Sequence, residues 1–289
     1  MLTNDMQLSC EIVVALLLLG APAARADGPY FVTYSHRLEE PGNLEVATNE
    51  VVGTPSGGNT FLNTLLELEY GARGWWTTEL YLSGQSTRGE GSVFTGYKIE
   101  NRFRPLLREH WINPVIYLEY ADVNEADKSL REIVGHDTFA DQLEPNGEAR
   151  HQRKREIEGK LILSSNFKGW NVSENFILEK VINHPDPWEF GYAMGVSRPL
   201  ALRAKPDRCN FCPENFLLGL ETYGGLGTHY DFGFHETSHY LAPTVAWALP
   251  NNTTFSFSPG FGLNGNSHGV LWRFTVAHEI DVRARRSPR

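Results

Sequence analysis

Residues Phe61 to Ser83 read FLNTLLELEYGARGWWTTELYLS, and their reading decides the fold. Leu66, Leu68 and Tyr70 fall on one side of an extended chain, and Glu67 and Glu69 on the other. After the turn Gly71-Ala-Arg-Gly74, Trp76, Leu80 and Leu82 share a face opposite Glu79, Tyr81 and Ser83. A period of two is the signature of a strand, and two such runs around a glycine turn are a hairpin with one apolar and one polar face.

The same alternation continues outward to the C-terminal end. Ile99 and Phe103 alternate with Lys98, Glu100, Arg102 and Arg104, and Leu118 and Tyr120 with Glu119. Ile157 and Leu161 oppose Glu156, Glu158 and Lys160; Phe176 and Leu178 oppose Glu179; Leu218 and Leu220 oppose Glu221. Trp188, Phe190, Tyr192 and Met194 oppose small residues, and Trp272 and Phe274 oppose Arg273. No long amphipathic helix interrupts the pattern; the one short candidate is Glu125 to Val134.

Such strands build either a soluble sandwich, with apolar faces inside, or a transmembrane barrel, with apolar faces toward lipid. Three features favour the barrel. The segments run to about ten residues, the length of a tilted spanning strand. Aromatic residues such as Trp75, Trp76, Trp111, Trp170 and Trp188 gather near segment ends, as an interfacial girdle does. Connections alternate short, after Tyr70, Leu163 and Leu249, with longer, after Gln85, Asp122, Gly224 and Gly262. Counting back from Val270 to Ile280 gives about twelve strands from Leu44 onward, with roughly ten to fourteen admissible, and an even number is what such barrels require. The fold expected is therefore an all-β, transmembrane antiparallel β-barrel over residues 44–281. Tyr30 to Ser35 would be a thirteenth strand and break the parity, so residues 27–43 read as a periplasmic lead-in. The loop Asp122 to Gln152 is then extracellular, as a solvated loop or an inward constriction, and residues 282–289 form a basic tail.

At the other end, Ile12 to Gly20 is apolar but too short to span a bilayer, and Ala24-Arg25-Ala26 follows as a cleavage pattern. Residues 1–26 read as a secretory signal peptide, although Asp5 and Glu11 stand where basic residues are usual and Met6 is an alternative start. Export leaves Cys209 and Cys212, most simply a local disulfide, with metal binding as the alternative. The formal net charge of −9 argues against a nucleic-acid partner.

The stretches ELEYGARGWWTTELYLSGQ, ENRFR, REHWINPVIYLEY, CNFCPENF, TSHYLAP and SPGFGLNGNSH together resemble a family of poorly characterised proteobacterial outer-membrane β-barrel proteins described as hypothetical or putative transporters. The resemblance covers nearly the whole chain after the leader. It implies a fold and an outer-membrane location, and no substrate. One departure is the end of the chain, which runs past Ile280 into basic residues instead of closing on an aromatic strand end.

The expected lumen residues are Glu67, Glu69, Glu79, Lys98, Glu100, Arg102, Arg104, Glu119, Glu156, Glu158, Lys160, Glu179, Glu221 and Arg273. A charged lining is not a dry core. It is either a hydrated path for small hydrophilic, preferentially cationic solutes or a salt-bridged filling. The functional expectation is a porin-like channel in contact with lipid, with no cofactor and no fixed oligomeric state. The rival is a non-conducting structural or surface barrel.

His235-Glu236-x-x-His239 matches a zinc-protease signature, which needs a helix to bring both imidazoles to one ion. Gly233 before it and the alternating run from Tyr240 after it deny that helix, and the longer form of the motif fails at Ala242 and Val245. A surface metal site drawn from His229, Asp231, His235, His239 and His268 remains as a lesser expectation. A lipid hydrolase using His239 with Ser267 across strands is another, and no nucleophile motif supports it.

Overall fold

The computed structural model describes residues 28–129, 143–202 and 209–282. The expected signal peptide, and residues 283–289 of the expected tail, lie outside them. Twelve strands follow in order: β1 Asn43–Gly53, β2 Phe61–Arg73, β3 Trp76–Thr87, β4 Gly91–Phe103, β5 Asn113–Asn124 and β6 Arg153–Phe167. The second half is β7 Trp170–Val181, β8 Trp188–Pro199, β9 Phe216–Thr228, β10 His239–Ala248, β11 Thr253–Gly262 and β12 Val270–Asp281. Each pairs antiparallel with its sequence neighbours, and β12 closes on β1 with Asn43 opposite Asp281, so the sheet is a closed barrel. Closure leaves no unpaired edge, the condition for strands to cross a bilayer. Among the described residues the only α-helix is the short Asn146–Ala149, and Glu125 to Ser129 is irregular rather than helical.

The period of two sorts the side chains as the sequence suggests. Leu80, Leu82, Ile99, Ile116, Leu118, Phe176, Trp272 and Phe274 are exposed on the outside, while Glu69, Glu79, Glu100 and Arg102 are buried inside. At the end that carries the turns 74–75, 168–169 and 249–252, rings stack into a girdle: Trp75, Trp76 and Phe103 meet at 6.2 to 6.3 Å. Trp111 lies 5.8 Å from Phe167, and Trp247 lies against Phe211, Phe216 and Phe255.

One connection differs from expectation, and another takes the inward course of its two alternatives. The loop after Gln85 is a tight turn, residues 88–90, because β3 and β4 run on past it. A bulge at Gly96, between the pairs Ser83–Gly96 and Gly84–Phe94, makes that extension possible by resetting which residues face inward. Gly96 has φ 153°, and a Cβ there would lie 2.2 Å from the Asp122 carbonyl oxygen, so the bulge needs glycine. The loop 125–152 bends inward at its described ends. Ala126, Asp127, Lys128 and Asn146 are buried, Lys128 N–H donates to Gln85 Oε1 at 2.9 Å, and Thr87 donates to Asn146.

The larger correction concerns the lead-in. Residues 28–39 of the expected lead-in lie inside the barrel, and Glu40 is exposed. From Tyr30 to Ser35 the chain bends at Phe31 and Val32 and pairs with no strand. Its backbone groups are satisfied by inward-facing side chains. Glu221 accepts from the N–H groups of Phe31, Val32 and Thr33 at 3.0 to 3.1 Å. Asn175 clasps Tyr34, accepting from its N–H at 2.7 Å and donating to its carbonyl at 2.9 Å. Small residues on β8 make the room: a Cβ on Gly195 would fall 2.6 Å from the Tyr30 ring.

Candidate functional site: the barrel interior

The interior divides into a filled half and an open half. Bulky and charged residues from β3 to β6 fill the first, together with the inserted segment. Arg102 sits among three carboxylates, at 2.6 Å from Glu69, 2.6 Å from Glu79 and 3.2 Å from Glu100. Tyr34 and Tyr81 both donate to Glu100 Oε2 at 3.1 Å, and Tyr81 also bonds Glu79. Lys98 pairs with Glu119 at 3.0 Å, and Tyr117 donates to Glu119 at 2.8 Å. Lys160 pairs with Glu158 at 2.9 Å and lies 4.2 Å from the Tyr117 ring centre and 4.8 Å from that of Tyr34. Such contacts offset the large cost of removing charges from water.

Of the other expected lining residues, Glu67 is buried and accepts from Asn49 at 2.7 Å, and Arg273 is buried with its guanidinium 5.2 Å from the Tyr223 ring. Glu156 and Glu179 are half-buried on the inward face, nearer the 125–152 end. Arg104 lies just past the end of β4 at Phe103, donating to the Leu106 carbonyl at 2.8 Å and standing 3.8 Å from Glu109.

The open half is the wall from β9 through β12 to β2, where inward residues are small or polar: Ala246, Ser256, Thr275, Ala277, Ala47 and Asn49. Between this wall and the inserted segment lies a cavity of about 210 Å³. Glu45, Glu67 and Glu279 reach it, as do Lys98, Lys160 and Arg273. Carboxylate oxygens of Glu45, Glu67 and Glu69 lie within 4.8 Å of one another, and so do those of Glu39, Glu45 and Glu279. An apolar layer of Val32, Phe61, Tyr223, Tyr240 and Leu271 crosses the lumen on the side of the 263–269 loop.

Among the described residues, no three of the expected metal ligands converge on one point. His235 meets Asp231 at 2.9 Å, His229 accepts from the Trp188 N–H, and His239 turns to Tyr192, Thr237 and the Phe234 carbonyl. His268 is buried against Phe61, ring centres 5.6 Å apart, and burial with Lys128 and Arg273 nearby pushes its pKa down to about 4. The only described groups of three or more ligand atoms that converge are the two carboxylate clusters. Glu236 has φ 61° and His239 opens β10, so no helix joins the two histidines of the protease-like motif. The pairing of His239 with Ser267 is also not a catalytic one: the hydroxyl meets the backbone N–H and carbonyl of His239 at 2.9 Å, not its ring. Cys209 and Cys212 form a disulfide, with Cα atoms 5.6 Å apart. It holds a tight loop whose Phe211 stacks 4.7 Å from Trp247 and whose Asn210 carbonyl accepts from the Trp247 indole.

Sequence reasoning missed Glu39, Glu45 and Asn63, and the space that β8 leaves for the inserted segment. The glycines and alanines opposite Trp188 to Met194 were the available signal, since inward residues that small leave space for something else.

No family model matches the chain, and no curated protein matches it in sequence. Among solved structures, an outer-membrane channel from Pseudomonas putida F1 is similar at 11% identity and a TM-score of 0.52, over 84% of this chain and 97% of that one. The KdgM porin is similar at 6% identity and a TM-score of 0.44, over 81% and 98%. At such identity the likeness is one of fold, and the fold of this chain is a twelve-stranded transmembrane β-barrel.

Proposed function

We infer that the chain is a porin-like channel of the bacterial outer membrane that passes small hydrophilic solutes and prefers cations. The observation that carries this reading is the open half of the lumen: a cavity along β1, β2 and β12 that charged and polar side chains reach, with carboxylates clustered at one end. An apolar outside and a polar inside suit a barrel whose partner is lipid and whose cargo is water-soluble. Rings of acidic side chains favour cations by raising their local concentration. Residues 1–26 would direct export and be removed.

A specific observation favours a second reading, a non-conducting barrel. The apolar layer around Phe61 and Tyr240, the inserted segment and the inward-bent Ala126 to Ser129 all narrow the lumen. The experiment that separates the two is conductance of the purified barrel in planar bilayers under a salt gradient. Steady openings with a cation-selective reversal potential support the channel; a barrel that is folded and silent overturns it.

A further inference from the structure

Between Ala149 and Glu156 the sequence reads Arg150-His-Gln-Arg-Lys-Arg155, which places four of the chain's 26 Lys and Arg in six positions of a chain with a net charge of −9. The run leads into β6 at the end away from the turn 168–169. Short turns mark the periplasmic end of an outer-membrane barrel, so the run lies at the extracellular end. Alternation sorts its side chains. Lys154 falls on the inward side and pairs with Glu125 at 3.3 Å. Arg153 and Arg155 are exposed on the outer wall, in line with Ile157 and Leu161.

The register gives these two cations their neighbours. The outward row Tyr120, Ile157, Lys180 and Trp188 crosses β5 to β8. Trp188 is exposed, and Tyr120 meets Tyr97 with ring centres 6.5 Å apart, so this row reads as the second aromatic girdle. Arg155 stands beside Asp122 in the next row away from the periplasm, and Arg153 stands one row beyond. Asp122 lies beneath both: Arg153 donates from Nε and Nη2 to its Oδ1 at 2.9 and 2.6 Å, and Arg155 Nε is 3.6 Å from its Oδ2. One carboxylate under two guanidiniums holds them in place and leaves the cluster positive. A guanidinium has five donors, and these two side chains stay 56% and 58% exposed, so each keeps donors for a further anion. Lys180 spends one donor on the Asp186 carbonyl and adds a third charge in the girdle row. At the same end of β1 to β3 the outward residues include Glu50, Thr64 and Ser86, so the cations gather on the side of β5 to β7.

We propose that this rim docks the phosphorylated headgroup of a glycolipid of the outer leaflet. Guanidiniums held side by side present fixed, bidentate donors to phosphate oxygens, and the Lys180 ammonium adds a point charge. The girdle row marks the edge of the apolar band, so Arg153 and Arg155 stand at the depth of headgroup phosphates. Toward the membrane, Ile157, Leu161 and Phe176 are exposed on the same wall, where acyl chains would lie. A soluble polyanion needs no apolar surface beside its cations, and the continuity of the cations with that surface decides for a lipid. The inference rests on the outer-membrane location and not on conduction, so a silent barrel leaves it standing.

Equilibrium binding to the full refolded barrel in neutral detergent tests it, with bisphosphorylated lipid A as probe. The same lipid stripped of its phosphates is the control, and heparin is the soluble polyanion. Lipid A should bind saturably, and the stripped lipid more weakly by about tenfold or more. At roughly fivefold per cation, the double change Arg153→Gln with Arg155→Gln should weaken lipid A by about twentyfold. Lys180→Gln should weaken it by about fivefold, with the heat-modifiable gel mobility of the barrel unchanged. Lys180→Gln leaves Asp122 covered by both arginines, so it reads the patch even where the double variant fails to fold. Absent binding of lipid A to the wild type, equal binding with and without phosphates, heparin bound more tightly than lipid A, or unchanged binding in either folded variant would each overturn the proposal.

Discussion

His268 ties the stability of the barrel to acid. It lies in the loop between β11 and β12, packed on Phe61, and its N–H donates to the Tyr240 hydroxyl at 2.9 Å. Its folded pKa of about 4 is below the ordinary 6.5 because burial and two cations oppose its charge. The unfolded chain therefore binds more protons than the folded one between those values. Stability is full above pH 6.5 and is lost as pH falls toward 4, by about 3 kcal/mol from this group. His268→Phe should flatten that part of the urea-unfolding profile of the lipid-reconstituted barrel; an unchanged slope between pH 6.5 and 4 would show that the proton goes elsewhere. Glu221 carries a different burden, since one carboxylate holds three N–H groups of the inserted segment. Glu221→Ala strands those donors, at about 1–3 kcal/mol for each that finds no other acceptor. The segment should leave the lumen while the barrel stays closed. Trypsin cutting at Arg37 in the variant, and sparing it in the wild type, is the expected readout.

The strands were legible because each puts apolar residues toward lipid and polar ones inward, and a period of two needs no knowledge of partners. The pairs Lys98–Glu119 and Lys160–Glu158 were legible in kind for the same reason. What stayed hidden was whatever depends on contacts remote in sequence. The inserted segment reads like a strand from Tyr30 to Ser35, but the groups that hold it, Asn175 and Glu221, lie more than a hundred residues away. Alternation also does not say where a strand stops, and β4 ends at Phe103, one residue before Arg104. The turn at 88–90 was missed because the bulge at Gly96 breaks the alternation, so β4 looked shorter than it is. That bulge is testable. Gly96→Ala sets a Cβ against the Asp122 carbonyl oxygen and forces an unfavourable φ, at a cost of about 1–3 kcal/mol. The expected outcome is a lower urea midpoint with the gel shift of a folded barrel retained; an unchanged midpoint would mean that β4 and β5 can slide apart there at no cost.

For the whole molecule, the decisive quantity is how charge is distributed between the two halves of the lumen. In the filled half every one of these cations sits against an acid: Lys98 with Glu119, Lys160 with Glu158, and Arg102 shared among three carboxylates. Lys98, Glu119 and Lys160 also line the cavity, but each is already paired with an opposite charge, so they fix shape more than selectivity. In the open half the acids Glu45, Glu67 and Glu279 gather at one end of the cavity, away from Arg273 near the other. Selectivity should therefore reside in a few residues of β1, β2 and β12. The double change Glu45→Gln with Glu279→Gln keeps size and hydrogen bonding and removes two charges. In a potassium chloride gradient it should move the reversal potential from cation-selective toward zero, and the charge-neutral pair of changes Lys98→Gln with Glu119→Gln should move it far less. Raising the salt from about 0.1 M to 1 M shortens the screening length from about 10 Å to 3 Å and should erase most of the difference between wild type and double variant. Equal shifts from the two sets of substitutions would place the selective charges in the filled half and reverse the assignment of the passage.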